Sequence, residues 1–173
     1  CKLAFTAIAI SSIFGILFGV LSAVKQYSIA DNIVVAFTLL LSSVPDFWLG
    51  LMLILIVSVK YGLLPMSGVE HWYSFVLPGI TAAAGYLANT IRMTRTSMLD
   101  VIRSDYIRTA RAKGCPERTV VFQHALRNAL LPVVTLIGVN MGWQLGGTVI
   151  TEQVYAIPGL GTLMIQSIRQ KDT

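Results

Sequence analysis

Residues 3–24 read LAFTAIAISSIFGILFGVLSAV, 22 positions without a charged side chain. Wound as an α-helix at about 1.5 Å per residue, this run is roughly 33 Å long, enough to cross a hydrocarbon core of about 30 Å. The apolar core of a signal peptide is shorter, roughly 7–15 residues. The run therefore points to an all-α, polytopic membrane helix bundle, and the composition agrees with it. Of 173 residues, 55% are hydrophobic and only 12% are charged, where a soluble domain carries roughly 25%. The same figures exclude a disordered chain, which needs low hydrophobicity and high charge. No soluble domain or low-complexity linker interrupts the pattern, so residues 1–173 read as one transmembrane domain.

Working outward, residues 25–32 form a short polar connection, and a second apolar run covers 33–59. Its one charge, Asp46, directly follows Pro45, so this span is expected to bend or break near its middle. Lys60 to His71 contains Gly62, Pro65 and Gly68 and reads as a loop. A third span, 72–91, opens on Trp72 and Tyr73, residue types that favour the membrane interface. A fourth covers 128–151, with Pro132 near its start. The remainder, from Glu152, is apolar but broken by Pro158, Gly159 and Gly161, which suits a surface-lying or re-entrant segment.

Charge orients these spans. Residues 92–127 hold Arg92, Arg95, Arg103, Arg108, Arg111, Lys113, Arg118 and Arg127 against Asp100, Asp105 and Glu117, so this segment carries the whole net charge of +5. Basic loops stay on the cytoplasmic side, which places 92–127 and the 25–32 connection inside. The few cations left outside are Lys2, Lys60, Arg169 and Lys171. Within the basic segment, Ser104 or Asp105 suits a helix cap, Gly114 a left-handed stop and Pro116 the start of a second helix. Two short helices at an elbow result. Ile102, Tyr106 and Ala110 recur every four residues and are expected to form a small apolar stripe, with Arg108 and Arg111 beside it. Such a helix can lie on anionic lipid or insert into a groove on a partner, and periodicity does not choose between these. Nucleic-acid binding is the weaker use of the same charge.

The run Asp105-Tyr106-Ile107-Arg108-Thr109-Ala110-Arg111-Ala112-Lys113-Gly114, with His124-Ala125-Leu126-Arg127-Asn128-Ala129-Leu130-Leu131-Pro132, resembles the cytoplasmic signature of permease subunits of ATP-binding-cassette importers. More narrowly it is similar to the peptide and nickel branch. Ser43-Val44-Pro45-Asp46-Phe47-Trp48-Leu49-Gly50 and Glu152-Gln153-Val154-Tyr155-Ala156-Ile157-Pro158-Gly159-Leu160-Gly161 agree with it, so the likeness extends over nearly the whole chain. The resemblance implies a type I importer transmembrane domain in which Tyr106, Arg108, Thr109, Ala110, Arg111, Ala112, Lys113 and Gly114 belong to the coupling helix docked in an ATPase subunit. It also implies a second permease subunit in a heterodimer, two cytoplasmic ATPases that bind the ATP and magnesium, an extracytoplasmic binding protein, and a prokaryotic inner membrane as location. The cargo it implies is a dipeptide or oligopeptide, with glutathione and nickel or metal chelates as alternatives. Family members carry a span before Leu3 and another after Thr173, so a longer six-span subunit is expected. The chain departs from the general signature at Arg108, where a Glu is usual, at Thr109, where Ala is usual, and at Asp46, usually uncharged.

Chemistry of other kinds is missing from the sequence. There is no phosphate-cradling G-x-x-x-x-G-K-[ST] run and no H-E-x-x-H or C-x-x-C spacing, so neither nucleotide, metal nor any other cofactor is expected on this chain. His71 and His124 fall in different compartments, Cys1 and Cys115 carry no ligand spacing, and no nucleophile motif suggests an enzyme. A secondary transporter would show an internal repeat, and none is evident. The translocation path is sought in the fourth span. Gly138, Gly142 and Gly146 form a small-residue ridge, and Asn140, Gln144 and Thr148 repeat with the same spacing about 200° away. The glycines are expected to pack on the bundle or on a partner permease, with the polar stripe either facing water or bonding neighbouring helices. Asp46 has two readings, a cap for the half-helix after Pro45 or a pore-facing partner for a cationic group. Glu152 opens an outer segment that caps the cavity in the resembling family.

Overall fold

A computed structural model describes residues 2–68, 72–146 and 148–170. Cys1, His71, Lys171 and the side chain of Trp72 lie outside the described residues. Within them the chain forms helices α1 (Lys2–Val24), α2 (Ile29–Ser43), α3 (Asp46–Lys60), α4 (Val76–Ile102), α5 (Asp105–Ala112), α6 (Glu117–Leu145), α7 (Val149–Val154) and α8 (Leu160–Gln170).

α4 is the central element, touching α1, α2, α3, α6 and α7. It runs parallel to α1 in a constant register. Leu3 shares a cluster with Leu77, a Cβ at Gly15 would meet Thr90, one at Gly19 would meet Thr94, and Val20 and Ala23 share a cluster with Met98. Small residues set this seam: Gly15 and Gly19 let the α4 backbone approach, and Gly79 of α4 receives Thr6 in turn. Since α1 and α4 end on the same side, the 25–32 connection and the basic elbow meet at one end of the bundle.

The second apolar run is broken near its middle, as the Pro45-Asp46 pair led one to expect. It begins at Ile29, with Ser28 Oγ accepting the Asp31 N–H at 3.3 Å, and ends at Ser43. Pro45 has no N–H to continue the ladder and holds Val44 extended at ψ 124°, so α3 leaves at 103° to α2. The last turns of α3 widen, with Tyr61 N–H donating to Ile56 O at 3.2 Å, five residues back. α3 packs at the far end of the bundle, where Leu53, Ile54 and Val57 lie against Leu3, Leu77 and Tyr155.

Two further boundaries are corrected. The third helix does not stop at Ile91. It continues to Ile102, because nothing from Arg92 onward breaks it and Thr94, Ser97 and Met98 are buried on its inner face. The second helix of the elbow is not separate from the fourth span either: α6 runs from Glu117 through Pro132 to Leu145. It then ends, and Thr148 sits outside regular helix at φ −94°, ψ 65°. α7 and α8 form the apolar tail as two short helices. Tyr155 is fully buried between them and the bundle, its hydroxyl 2.9 Å from Thr81 Oγ1 and donating to Gly50 O at 3.3 Å. Glu152, 6% exposed, accepts from the Thr162 N–H at 2.8 Å and so caps the start of α8. The segment after Glu152 is thus a packed corner: a Cβ at Gly159 would collide with the Glu152 carboxylate.

Candidate functional site: the elbow and the polar cleft

The elbow is held against the bundle by contacts made residue by residue. Ser104 takes the N-cap position of α5, but its hydroxyl donates backward to Val101 O at 2.6 Å, so it does not cap through its side chain. Thr109 Oγ1 donates to Asp105 O at 3.0 Å, and Gly114 closes the helix at φ +79°, a conformation that suits only glycine well. Arg111 reaches across this turn and donates to both Glu117 oxygens at 2.7 and 3.1 Å. The bond to Glu117 pushes the Arg111 guanidinium further toward its charged form. On the other flank Asn128 Nδ2 donates to the Tyr106 hydroxyl at 2.7 Å, tying α5 to α6.

The apolar face of α5 is not the one periodicity suggested. Ile107, absent from the Ile102, Tyr106, Ala110 stripe, is the fully buried residue. It packs in a cluster with Val20, Met98, Val120, Val121, Ala125 and Ala129, while Ala110 and Ile102 lie half-buried against that cluster. Tyr106 remains 44% exposed. The face left outward carries Asp105, Arg108, Thr109, Ala112 and Lys113, with Arg108 only loosely paired to Asp105 at 3.6 Å. Ala110 therefore packs inward, and Arg108, Thr109 and Ala112 lie on the outward face of the helix.

A second site lies toward the other end. Asp46, Tyr86 and Thr148, with Ala82, Val149, Ile150 and Thr151, line a cleft of about 270 Å³ between α3, α4 and the start of α7. Pro45, not Asp46, holds the N-cap position of α3, and no side-chain capping bond is made there. The capping reading of Asp46 is accordingly set aside: its carboxylate lies in the first turn of α3 and on the cleft wall. Thr148 joins Asp46 here because α6 has ended, so it does not continue the Asn140 and Gln144 stripe. Those two amides face inward, 9% and 3% exposed, on a helix that packs against α4 and α1. Neither amide atom of Gln144 has a hydrogen-bond partner among the described residues. Gly138 and Gly142 point the other way, with no atom within 4 Å of a Cβ placed on them, and Gly146 would meet only its own helix. Among the described residues the ridge packs on no other helix.

One constellation escaped sequence reading. Arg95 on α4 donates to both oxygens of Asp31 on α2, each at 2.9 Å, and to Ser22 Oγ of α1 at 3.0 Å. Ser22 also donates to Asp31, and the Tyr27 N–H donates to its second oxygen at 3.0 Å. Asp31 and Ser22 are buried. Three helices are thus pinned together at the end that carries the elbow. Arg95 was legible only as one cation of eight, and Asp31 only as part of a polar connection. Among the described residues no group of three His, Cys, Asp or Glu side chains is placed to hold a metal.

Together these features define a helical membrane domain with a polar cleft in one half and a basic elbow at the other end. Residues 15–173 match the family of binding-protein-dependent transport system inner membrane components. The chain belongs to that family, and so to the inner membrane. It is 44% identical over 160 residues, 92% of its length, to the glutathione transport system permease protein GsiC of Pectobacterium atrosepticum. To the protein of the same name from Escherichia coli it is 41% identical over 170 residues, 98% of its length. The chain spans about half the length of these relatives, 52% and 56% respectively.

Proposed function

We propose that this chain is the path-forming part of a permease in an ATP-driven importer, moving a peptide-type substrate inward without altering it. The observation that carries the proposal is the elbow: a short basic helix anchored on the bundle by Ile107 and braced by the Arg111–Glu117 pair, with Arg108, Thr109 and Ala112 left outward. A helix held that firmly transmits a push from a docked ATPase to α4 and α6 instead of absorbing it. The ATPase subunits bind the ATP and magnesium and do the hydrolysis. A binding protein delivers the cargo from the other side, and a second permease subunit completes the path, with the outward Gly138, Gly142 and Gly146 ridge as a surface on which its helices approach closely. The names of the relatives favour glutathione or a similar small peptide as cargo.

Replacing Ala112 with Trp tests the docking. Ala112 is exposed, so the variant is expected to keep its melting temperature while binding-protein-stimulated ATP hydrolysis and uptake fall about tenfold, the loss of roughly 1.4 kcal/mol at an interface. Unchanged hydrolysis and uptake in Ala112→Trp would refute docking through this face.

Within the path, Asp46, Tyr86 and Thr148 offer a carboxylate and two hydroxyls in one cleft, suited to a peptide amine. Asp46 makes no capping bond, so Asp46→Asn is expected to shift stability by no more than about 0.5 kcal/mol. Uptake by the same variant should fall several-fold, with the loss greatest for substrates carrying a free amine. A drop in melting temperature with unaltered uptake by the surviving protein would return Asp46 to a structural role.

A further inference from the structure

We propose that Arg92 binds the carboxylate end of a short zwitterionic peptide whose amine lies at Asp46, so that the two side chains measure the cargo between them. This rests on the reading of the Asp46 cleft as part of the path. Arg92, Arg95 and Thr96 of α4, with Thr38 of α2, line a second cleft of about 260 Å³ between these helices. Arg95 is committed to Asp31 through two hydrogen bonds. Arg92 is exposed, and among the described residues it makes one hydrogen bond, to Ser42 Oγ at 3.1 Å, and no ion pair. Ser42 Oγ in turn donates to Thr38 O at 2.9 Å, which turns its lone pairs toward Arg92. The guanidinium is thus positioned while its charge is left unmet.

Depth decides what can meet that charge. α1 and α4 run in register, Gly15 against Thr90 and Gly19 against Thr94, so Arg92 stands level with Leu17, about 10 Å from the elbow end of α1. Its side chain does not turn back toward that end, because Ser42 lies 11 residues along the chain from Asp31, the partner of Arg95. Arg92 therefore reaches away from the headgroups at the elbow and toward Asp46, which follows Ser42 by four residues, the opposite of a side chain extended to a lipid phosphate. Asn89, exposed one turn from both Tyr86 and Arg92, adds an amide at similar depth. Charged and amide side chains facing hydrocarbon at this level are costly, so this strip of α4 borders water. Tyr86 and Arg92 are six residues apart, about 9 Å along the axis, and four residues of chain separate Ser42 from Asp46 by no more than about 14 Å. An extended peptide of about three residues bridges that interval, with its amine at the Asp46 carboxylate, a middle carbonyl accepting from Asn89 and its carboxylate on the Arg92 fork. A single amino acid reaches only one of the two charges.

The test uses the full-length permease assembled with its ATPase subunits, carrying Asn89→Cys and otherwise free of cysteine, and reads its labelling by water-soluble cationic and anionic methanethiosulfonate reagents. Both are expected to react, the anionic one several-fold faster because of Arg92. Arg92→Gln should abolish that preference and Arg92→Lys should keep most of it. Trialanine should protect the cysteine at about tenfold lower concentration than trialaninamide, the worth of one charge-assisted pair, and free alanine should protect less than either. In Arg92→Gln the two tripeptides should become equal. Absence of labelling by either reagent overturns the proposal, since a partner helix would then cover the strip. So do equal protection by trialanine and trialaninamide with Arg92 in place, protection by neither, and a charge preference that survives Arg92→Gln. Should Arg92→Gln fail to fold, the two peptides compared on the protein that retains Arg92 still decide. Uptake lost in Asp46→Asn together with equal protection by the two peptides would remove the role of Arg92 and leave the importer reading standing, whereas unaltered uptake in Asp46→Asn removes the cleft reading on which the proposal rests.

Discussion

Arg95→Leu is expected to destabilise the domain by about 3–5 kcal/mol, the cost of stranding one charge of a buried pair. Asp31, 3% exposed on its side chain, receives both arms of the guanidinium and bonds from Ser22 and the Tyr27 amide. Without Arg95 the carboxylate stays buried among groups that offset only part of its lost hydration. For a chain of this size the melting temperature in detergent should drop by roughly 10 °C. Arg95→Lys should recover only part of the loss, because an ammonium group cannot reproduce the forked contact to two oxygens. Adding Asp31→Asn to Arg95→Leu should recover much more, since no charge is then stranded. A single substitution that melts within 1–2 °C of wild type would show that the pair does not hold α1, α2 and α4 together.

Gly19→Val is the second large effect, expected to cost about 3 kcal/mol or more because overpacking a closed helix seam forces backbones apart. A Cβ at this position would lie 2.5 Å from Thr94 Cβ and 2.9 Å from the Ile91 carbonyl oxygen. The second of these is backbone and has nowhere to retreat. One helical turn earlier, a Cβ on Gly15 would meet Thr90 at 2.6 Å, so the seam is tight over two turns. Separating α1 from α4 here would also pull Val20 and Ala23 away from Met98 and loosen the cluster that seats Ile107. Gly142→Val supplies the control, since open space surrounds it. It should melt within about 0.5 kcal/mol of wild type when this subunit is measured alone. Thr94→Gly is expected to rescue part of Gly19→Ala, because it removes both the Thr94 Cβ at 2.5 Å and its methyl at 2.8 Å. Equal destabilisation by Gly19→Val and Gly142→Val would contradict the packing described.

These two effects mark where the sequence was legible and where it was not. Hydropathy finds apolar runs of spanning length, and the chemistry of Pro45 and Gly114 is local, so the break in the second span and the stop of α5 could be read directly. The choice between equivalent faces could not. Gly15 and Gly19 have the same four-residue spacing as Gly138 and Gly142, and only the packed structure tells that the first pair meets α4 while the second faces outward. Ile107 was passed over for the same reason: on a helix of two turns, one buried side chain outweighs a stripe of three. Thr148 was extrapolated along a helix that ends at Leu145, although the outcome still places it beside Asp46. The Arg95–Asp31 pair joins residues 64 positions apart, and no periodicity within one helix predicts such a partner.

The proposed function requires an ATPase to act on this domain through α5. Site-specific cross-linking tests it most directly, using Thr109→Cys in a full-length permease carrying Cys115→Ser and co-expressed with its ATPase subunits. Thr109 lies on the outward face, and its side-chain bond to Asp105 O is local, so the substitution should leave the elbow folded. The expected result is a cross-link between permease and ATPase whose yield changes when ATP is bound. No cross-link from Thr109→Cys or Ala112→Cys to any soluble subunit, together with labelling of both positions by reagents carried in the lipid, would show that the elbow lies on the membrane and would contradict the account.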